Sequence, residues 1–451
     1  MYSGSFFATA DVDEQRCTRL RMWLNDRHFR WTLSAGESFR VPEAVLAYSA
    51  HSMDGMSAQF HTLCREHIVR GRYAHAPRPI LLNNWEATYF NFDEDKLVNI
   101  AEKAAQMGIE LFVLDDGWFG HRDDDRTSLR DWTVDHRKLP NGLRRLADRV
   151  HAMGMKFGLW FEAEMVSPDS VLSREDVCDF IYRAVADVLR ENGIDNVKWD
   201  MNRNISMWGS AALPPERQQE LGHRYILGLY DVMGRIVSAF PDVLFESCAG
   251  GGGRFDLGLM CFMPQAWCSD DTDAWMRCRI QSGTSLVFPP STMGAHVSAV
   301  PNHQTGRITP LFTRAAVAMG GTYGYELDLT KLPQEELDEI RALNRRVKAM
   351  QPLLLYGTFY RLRSPFTGSD AAWMSVSQDR SEAVVTYVLS LAEPNVQPKL
   401  LRLEGLDPDR SYRDEDSGAV YGGDELMFRG IPLKKPWGDF VAQQFHLTAE
   451  A

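Results

Sequence analysis

Between Pro79 and Met350 short apolar runs alternate with longer amphipathic stretches, and this alternation narrows the possible folds more than any other feature. Pro79–Trp85, Leu111–Leu114, Phe157–Phe161, Asn196–Trp199, Val243–Phe245, Gln265–Trp267, Ser291–Gly294 and Gly320–Gly324 read as buried strands. Asp93–Met107 reads as a helix with Leu97, Ile100, Ala101, Ala104 and Met107 on one face and Asp93 as its cap. Gly142–Met153, Asp176–Asn192, Arg217–Phe240, Ala274–Leu286, Thr309–Met319 and Pro333–Met350 supply further helices. Eight such strands over about 270 residues predict an α/β fold built on a (β/α)8 TIM barrel, whose usual size is roughly 250 residues. A doubly wound sheet is the competing architecture, but no Gly-x-Gly-x-x-Gly opens a helix here. Gly250–Gly253 lacks the Lys-Ser/Thr of a phosphate loop.

The flanks follow other rules. Residues 1–78 offer strands at Arg19–Leu24 and Phe29–Leu33 and a helical stretch within Phe60–Arg72. That is too little for a closed sandwich, and it reads as the C-terminal remnant of an N-terminal β-sandwich plus a linker. The barrel is assigned to residues 79–352. Beyond it, residues 353–451 alternate again at Tyr360–Leu362, Ala372–Val376, Ala383–Leu389, Leu400–Leu403 and Phe440–Leu447. These predict an antiparallel β-sandwich with Trp437 and Phe445 in its core.

Charge removes several functions. A net charge of −12 argues against nucleic acid and anionic membrane surfaces as partners, because both reward clustered Lys and Arg. No run approaches the roughly 18 apolar residues of a membrane helix, and no signal-peptide pattern opens the chain. Seven cysteines, without Cys-x-x-Cys pairs or zinc spacing, suit free thiols in a reducing compartment, so a cytoplasmic location is expected.

In a barrel of this kind the C-terminal strand ends carry the active site. Those ends read Trp85-Glu86, Asp115-Asp116-Gly117-Trp118, Trp160-Phe161-Glu162, Lys198-Trp199-Asp200, Glu246-Ser247-Cys248, Trp267-Cys268-Ser269-Asp270-Asp271 and His296. Any one Asp could be a cap or a turn residue. As a set they are costly to gather around one rim, because a buried carboxylate must be paired or hydrogen-bonded. No metal or cofactor constellation accompanies them. An acid-rich, Trp-lined rim suits glycoside hydrolysis through two carboxylates; the residues alone leave open which Asp does what.

Six segments then resemble glycoside hydrolase family 36 α-galactosidases of bacterial type: Asn84–Phe90, Leu114–Gly120, Gly158–Glu162, Lys198–Arg203, Glu246–Arg254 and Ser269–Ala274. The resemblance implies a retaining enzyme that removes terminal α-D-galactosyl residues from sugars such as melibiose or raffinose. It implies Asp200 as nucleophile, kept ionised by Lys198, and Asp270 as general acid/base. It also implies a galactose pocket of Trp85, Asp115, Asp116, Trp160, Lys198, Asn202, Cys248, Gly251 and Asp271. Members of the family begin with a large β-sandwich, of which residues 1–78 would be the last part, so homo-oligomer contacts are expected to be weakened. Between Ser170 and Asp176 they carry a longer segment with a sugar-contacting Arg, a contact expected to be missing here. An α-N-acetylgalactosaminidase, a galactosyl-transferring relative and a non-catalytic galactoside-binding remnant remain as alternatives.

Overall fold

The computed structural model describes residues 5–129, 131–164, 174–203, 209–211, 213–395, 397–435 and 437–450. It opens on a hairpin of β1 (Phe6–Val12) and β2 (Thr18–Leu24), paired in register from Phe6–Leu24 to Val12–Thr18. Phe29–Leu33 forms no strand. Its aromatic rings pack instead. Trp31 and Phe39 lie 5.0 Å apart and lean on His223, at 5.4 and 5.1 Å. The linker then coils into α1 (Ser52–Leu63), continued by a π-helical turn at Cys64–Ile68.

The barrel follows as alternating strand and helix: β3 (Leu81–Asn83), α2 (Trp85–Thr88), α3 (Glu94–Gln106), β4 (Leu111–Leu114), α4 (Gly142–Ala152), β5 (Lys156–Phe161), α5 (Arg174–Asn192), β6 (Asn196–Trp199), α6 (Leu221–Ala239) and β7 (Leu244–Ser247). Then come α7 (Leu257–Met260), β8 (Gln265–Trp267), α8 (Ala274–Thr284), β9 (Met293–Ser298), α9 (Leu311–Ala318), β10 (Thr322–Glu326) and α10 (Gln334–Tyr356). β3 to β10 close in sequence order, every neighbour parallel, with β10 returning to β3. The closed (β/α)8 barrel is therefore observed.

The strands read as apolar runs because helices cover their outer faces while side chains fill the inside. Phe112, Phe157, Leu159, Val197 and Phe245 are all buried. Asp93 caps α3 by accepting from Lys96 N at 2.8 Å. The expected strand Pro79–Trp85 is shorter, since Trp85 already starts α2. α10 runs on through Pro352 to Tyr356, because proline's fixed φ is helical and Leu353, Leu354 and Leu355 still bury.

Beyond α10, a six-stranded antiparallel sheet takes β11 (Thr358–Arg363), β12 (Asp370–Val376), β13 (Glu382–Leu389), β15 (Ser411–Asp414), β16 (Val420–Gly422) and β18 (Val441–Ala449). A small sheet of β14 (Leu400–Leu401) and β17 (Ile431–Pro432) shares its core through Leu401, Ile431 and Met374. Phe445 is buried there at 7% exposure, but Trp437 is 91% exposed and is not a core residue. Alternation in that stretch does not extend to a glycine-flanked turn.

The N-terminal segment is tied to the barrel by Glu220, which is fully buried and accepts from Arg217 Nε (3.0 Å), Arg224 Nε (2.8 Å) and Thr32 N (3.1 Å). Burial opposes its charge, but these donors prevail and hold the carboxyl down at about 2, against an ordinary 4.5. A depressed folded pKa stabilises above the unfolded value. The contribution is therefore complete above pH 4.5 and is lost as pH falls towards 2. Pepsin cleavage within residues 29–39 should accelerate across that interval. Glu220→Gln should raise cleavage already at pH 4.5 and flatten the pH dependence.

Candidate active site

The ends of the barrel strands open into a cleft of about 790 Å³. Trp85, Asp115, Asp116, Trp160, Lys198, Asp200, Asn202 and Asp270 line it, so eight of the eleven residues expected from sequence meet in one place. The other three stand behind its wall. Cys248 is buried beside Asp200, and burial followed by that charge pushes its thiol well above the ordinary range. Gly251, at φ +77°, presses on the acid loop so closely that an added Cβ would lie 2.6 Å from Asp270 N. Asp271 accepts from Asp273 N at 3.0 Å and so shapes a turn. Asp273 in turn caps α8 through Met276 N at 3.0 Å. The capping and turn readings hold for these two acids.

Asp200 follows β6, its own N–H donating to Phe161 O at 2.7 Å so that the ladder continues to the cleft floor. Asp200 is 5% exposed, and among the described residues its carboxylate accepts from three nitrogen donors. Oδ2 accepts from Trp160 Nε1 and Asn202 Nδ2, both at 3.1 Å, and Oδ1 from Met201 N at 2.8 Å.

The resemblance implies that Lys198 keeps Asp200 ionised; the charge of Asp200 does act on the Lys198 ammonium, but its hydrogen bond goes to another carboxylate. Its Nζ donates to Asp115 Oδ2 at 2.8 Å, across the barrel from β6 to the end of β4. Inward side chains of alternate strands share a layer, which is why this partner outcompetes the nearer one in sequence. Burial works against the ammonium, but Asp115 first, and Glu326 and Asp200 among others, hold it well above its usual value. Asp115 also accepts from Asn83 Nδ2 at 2.5 Å. Removing one partner of a buried pair leaves the other uncompensated, at a cost of roughly 3–5 kcal/mol. Lys198→Met should lower the thermal midpoint accordingly, and Lys198→Arg less; calorimetry reads both.

Asp116 is bound on both oxygens by Arg122, Nε to Oδ1 and Nη2 to Oδ2, each at 2.7 Å. Burial nonetheless lifts its carboxyl to about 6 against the pull of that guanidinium. Arg122 was missed in the sequence because it comes from an irregular loop, where no periodicity marks an inward side chain.

Asp270 stands at the rim, exposed as a residue, with its carboxyl group turned into the cleft. Oδ1 accepts from Trp267 Nε1 at 3.0 Å. Loss of water around the carboxyl raises its pKa; Lys198 opposes this, while Asp200 and Glu326 add to it. Five more acids line the cleft: Glu86, Asp124, Asp125, Glu162 and Glu326. Glu86 and Glu162 were visible at strand ends, although not assigned to the site. Burial first, then the charge of Glu326, pushes Glu86 to about 8. Glu162 rises to about 7 through burial, despite Asn202 N at 2.5 Å, with Asp200 adding to the rise.

Behind Asp200, Glu164 accepts from Arg254 Nη1 at 2.6 Å, from Trp199 Nε1 at 2.7 Å and from Tyr225 Oη. This network braces the strand end that carries the carboxylate. The stretch Ser170–Ser173, where a family contact was expected to be missing, lies outside the described residues.

Known proteins share this fold. The chain matches the Melibiase family over residues 38–175 and 171–357, and the glycosyl hydrolase family 36 C-terminal domain over residues 370–447. It is 53% identical to the α-galactosidase AgaA of Geobacillus stearothermophilus over 476 residues, covering 100% of this chain and 65% of that one. Mel36A, an α-galactosidase of Lactobacillus acidophilus, is 45% identical over 99% of this chain and 65% of its own length. The crystal structure of AgaA agrees with a TM-score of 0.97 at 52% identity, over 100% of this chain and 66% of that chain. Solved variants of AgaA hold raffinose and stachyose. The chain thus spans about 65% of the length of these curated relatives, and the Melibiase match divides at residues 171–175. With both the barrel and the C-terminal sheet accounted for, the chain belongs to the Melibiase family and carries the family 36 C-terminal domain.

Proposed function

We propose that this chain is a retaining α-galactosidase acting on terminal α-D-galactosyl residues of oligosaccharides such as melibiose or raffinose. The observation that carries the reading is the meeting of two carboxylates in one cleft. Asp200 is fixed at the end of β6 by donors from Trp160, Met201 and Asn202, while loss of water raises the pKa of Asp270. A fixed carboxylate suits the nucleophile and a raised one the proton donor.

The Asp200 carboxylate attacks the anomeric carbon. As that bond forms, the bond to the glycosidic oxygen breaks and Asp270 gives its proton to the leaving oxygen. Asp270 then takes a proton from water, whose oxygen displaces Asp200 from the sugar. Two inversions return the α-anomer. Asp115, Asp116, Lys198 and Asn202 hold hydroxyls, with Trp85 and Trp160 as apolar walls. Cys248 and Gly251 keep the neighbourhood of the 2-hydroxyl small, which suits galactose over a 2-acetamido sugar.

The break of the family match at residues 171–175 favours one rival, a remnant that binds galactosides without turnover. Incubation with raffinose, followed by proton NMR, separates the two. Release of galactose with the α-anomer appearing first supports the reading; raffinose binding without galactose release supports the remnant. Seven free thiols suit the cytoplasm, where we place the protein.

A further inference from the structure

The loop from β9 to α9, residues 299–310, has no part in the chemistry above. It closes on itself around Asn302, whose N donates to Arg307 O at 2.9 Å. Asn302 Oδ1 accepts from Gln304 N at 3.0 Å and Thr305 N at 3.1 Å. From this turn side chains reach the acid loop, residues 269–273, at three places. Gln304 Nε2 donates to the backbone oxygen of Asp270 at 3.2 Å, and Asn302 Nδ2 to Thr272 Oγ1 at 3.1 Å. Asp273, its side chain 1% exposed, takes Thr305 Oγ1 on Oδ2 at 2.9 Å and the Arg307 guanidinium on Oδ1. Capping α8 needs only the bond to Met276 N; the ion pair adds a tie between the loops that follow β8 and β9. On its β7 side the acid loop has no slack. A Cβ on Gly252 would stand 2.2 Å from Cys268 O, as one on Gly251 would press on Asp270 N. The acid loop therefore sits between a backbone wall and a tie, and loss of the tie frees it on one side. Arg307 itself lies over the Phe440 ring, 4.9 Å from its centroid. That ring joins the apolar cluster of Ala274 and Trp275 at the start of α8, so the tie is anchored on the C-terminal sheet.

We propose that Arg307 is a positioning residue for Asp270, its ion pair with Asp273 holding the acid loop where the Asp270 carboxyl reaches the leaving oxygen. The proposal rests on the assignment of Asp270 as general acid. Placement matters steeply at such a group, since a shift of about 1 Å costs roughly 10²-fold in rate. The defect is also selective. A misplaced donor harms only a leaving group that needs a proton.

Arg307→Met should lower kcat/KM for raffinose by about 10–100-fold, and that for a nitrophenyl α-galactoside by less than about threefold. A purely structural role would reduce the amount of folded enzyme, which scales both substrates alike and leaves their ratio unchanged. If Arg307→Met does not fold, Phe440→Ala removes the ring under the guanidinium and should change the ratio in the same direction by about 2–5-fold. Within an Asp270→Ala protein, Arg307→Met should leave the ratio where Asp270→Ala alone puts it, because no acid remains to be positioned. An unchanged ratio in the folded single variant, or a further change within Asp270→Ala, overturns the proposal. Failure of the underlying reading shows separately: Asp270→Ala alone would then reduce both substrates equally.

Discussion

Replacing Asp200 by Asn should reduce hydrolysis of a nitrophenyl α-galactoside by about 10⁴-fold or more, because no carboxylate is left to form the sugar ester. The fold should survive. An amide at this position must oppose one donor to another, either at Met201 N or at the Trp160 and Asn202 pair. That mismatch costs about 1–3 kcal/mol, within the roughly 5–15 kcal/mol of a typical domain. Circular dichroism should therefore match the unmodified protein, with a thermal midpoint lower by a few degrees. Substantial residual turnover would contradict the assignment. A lost spectrum would point instead to a structural role for the hydrogen-bonded cluster.

Asp270→Ala should separate the two halves of the reaction. For raffinose, kcat/KM should fall by about 10²–10⁴-fold, since the leaving sugar oxygen departs without a proton. A nitrophenolate leaves unaided, so its kcat/KM should be largely kept. Its kcat should still fall, because the second step lacks a base, and KM should fall with it as the galactosyl–enzyme accumulates. Stopped-flow release of nitrophenol should show a burst followed by a slow phase. Equal losses for both leaving groups would count against the acid role.

These effects concentrate on residues that the sequence pattern reveals unevenly. Leu111–Leu114, Asn196–Trp199 and Gln265–Trp267 coincide residue for residue with β4, β6 and β8. Both faces of those strands are buried, so the apolar run and the strand end together. The match slips where inward positions turn polar to serve the cleft. Ser291–Gly294 was expected, but β9 runs Met293–Ser298 through His296, and β10 extends past Gly324 to Glu326. Glu326 was missed for this reason. It lies two residues past the expected strand end, at Gly324, and lines the cleft.

Neighbourhood in sequence also misleads. Lys198 stands two residues before Asp200 but bonds Asp115, which a linear reading cannot rank above it. Within Ser269-Asp270-Asp271-Thr272-Asp273 one acid faces the cleft while the others shape a turn and cap α8. Only the fold separates those roles, since all three positions suit Asp locally. Phe29–Leu33 alternates like a strand but finds no partner strand, and its rings settle on α6 instead.

The most direct test of the account is to trap the intermediate. The Asp270→Ala protein, mixed with a nitrophenyl α-galactoside, quenched in acid and digested, should yield a peptide carrying one galactosyl residue, and fragmentation should place it on Asp200. A galactosyl group on Glu162 instead, or no labelled peptide together with β-galactose as the first product, would contradict it.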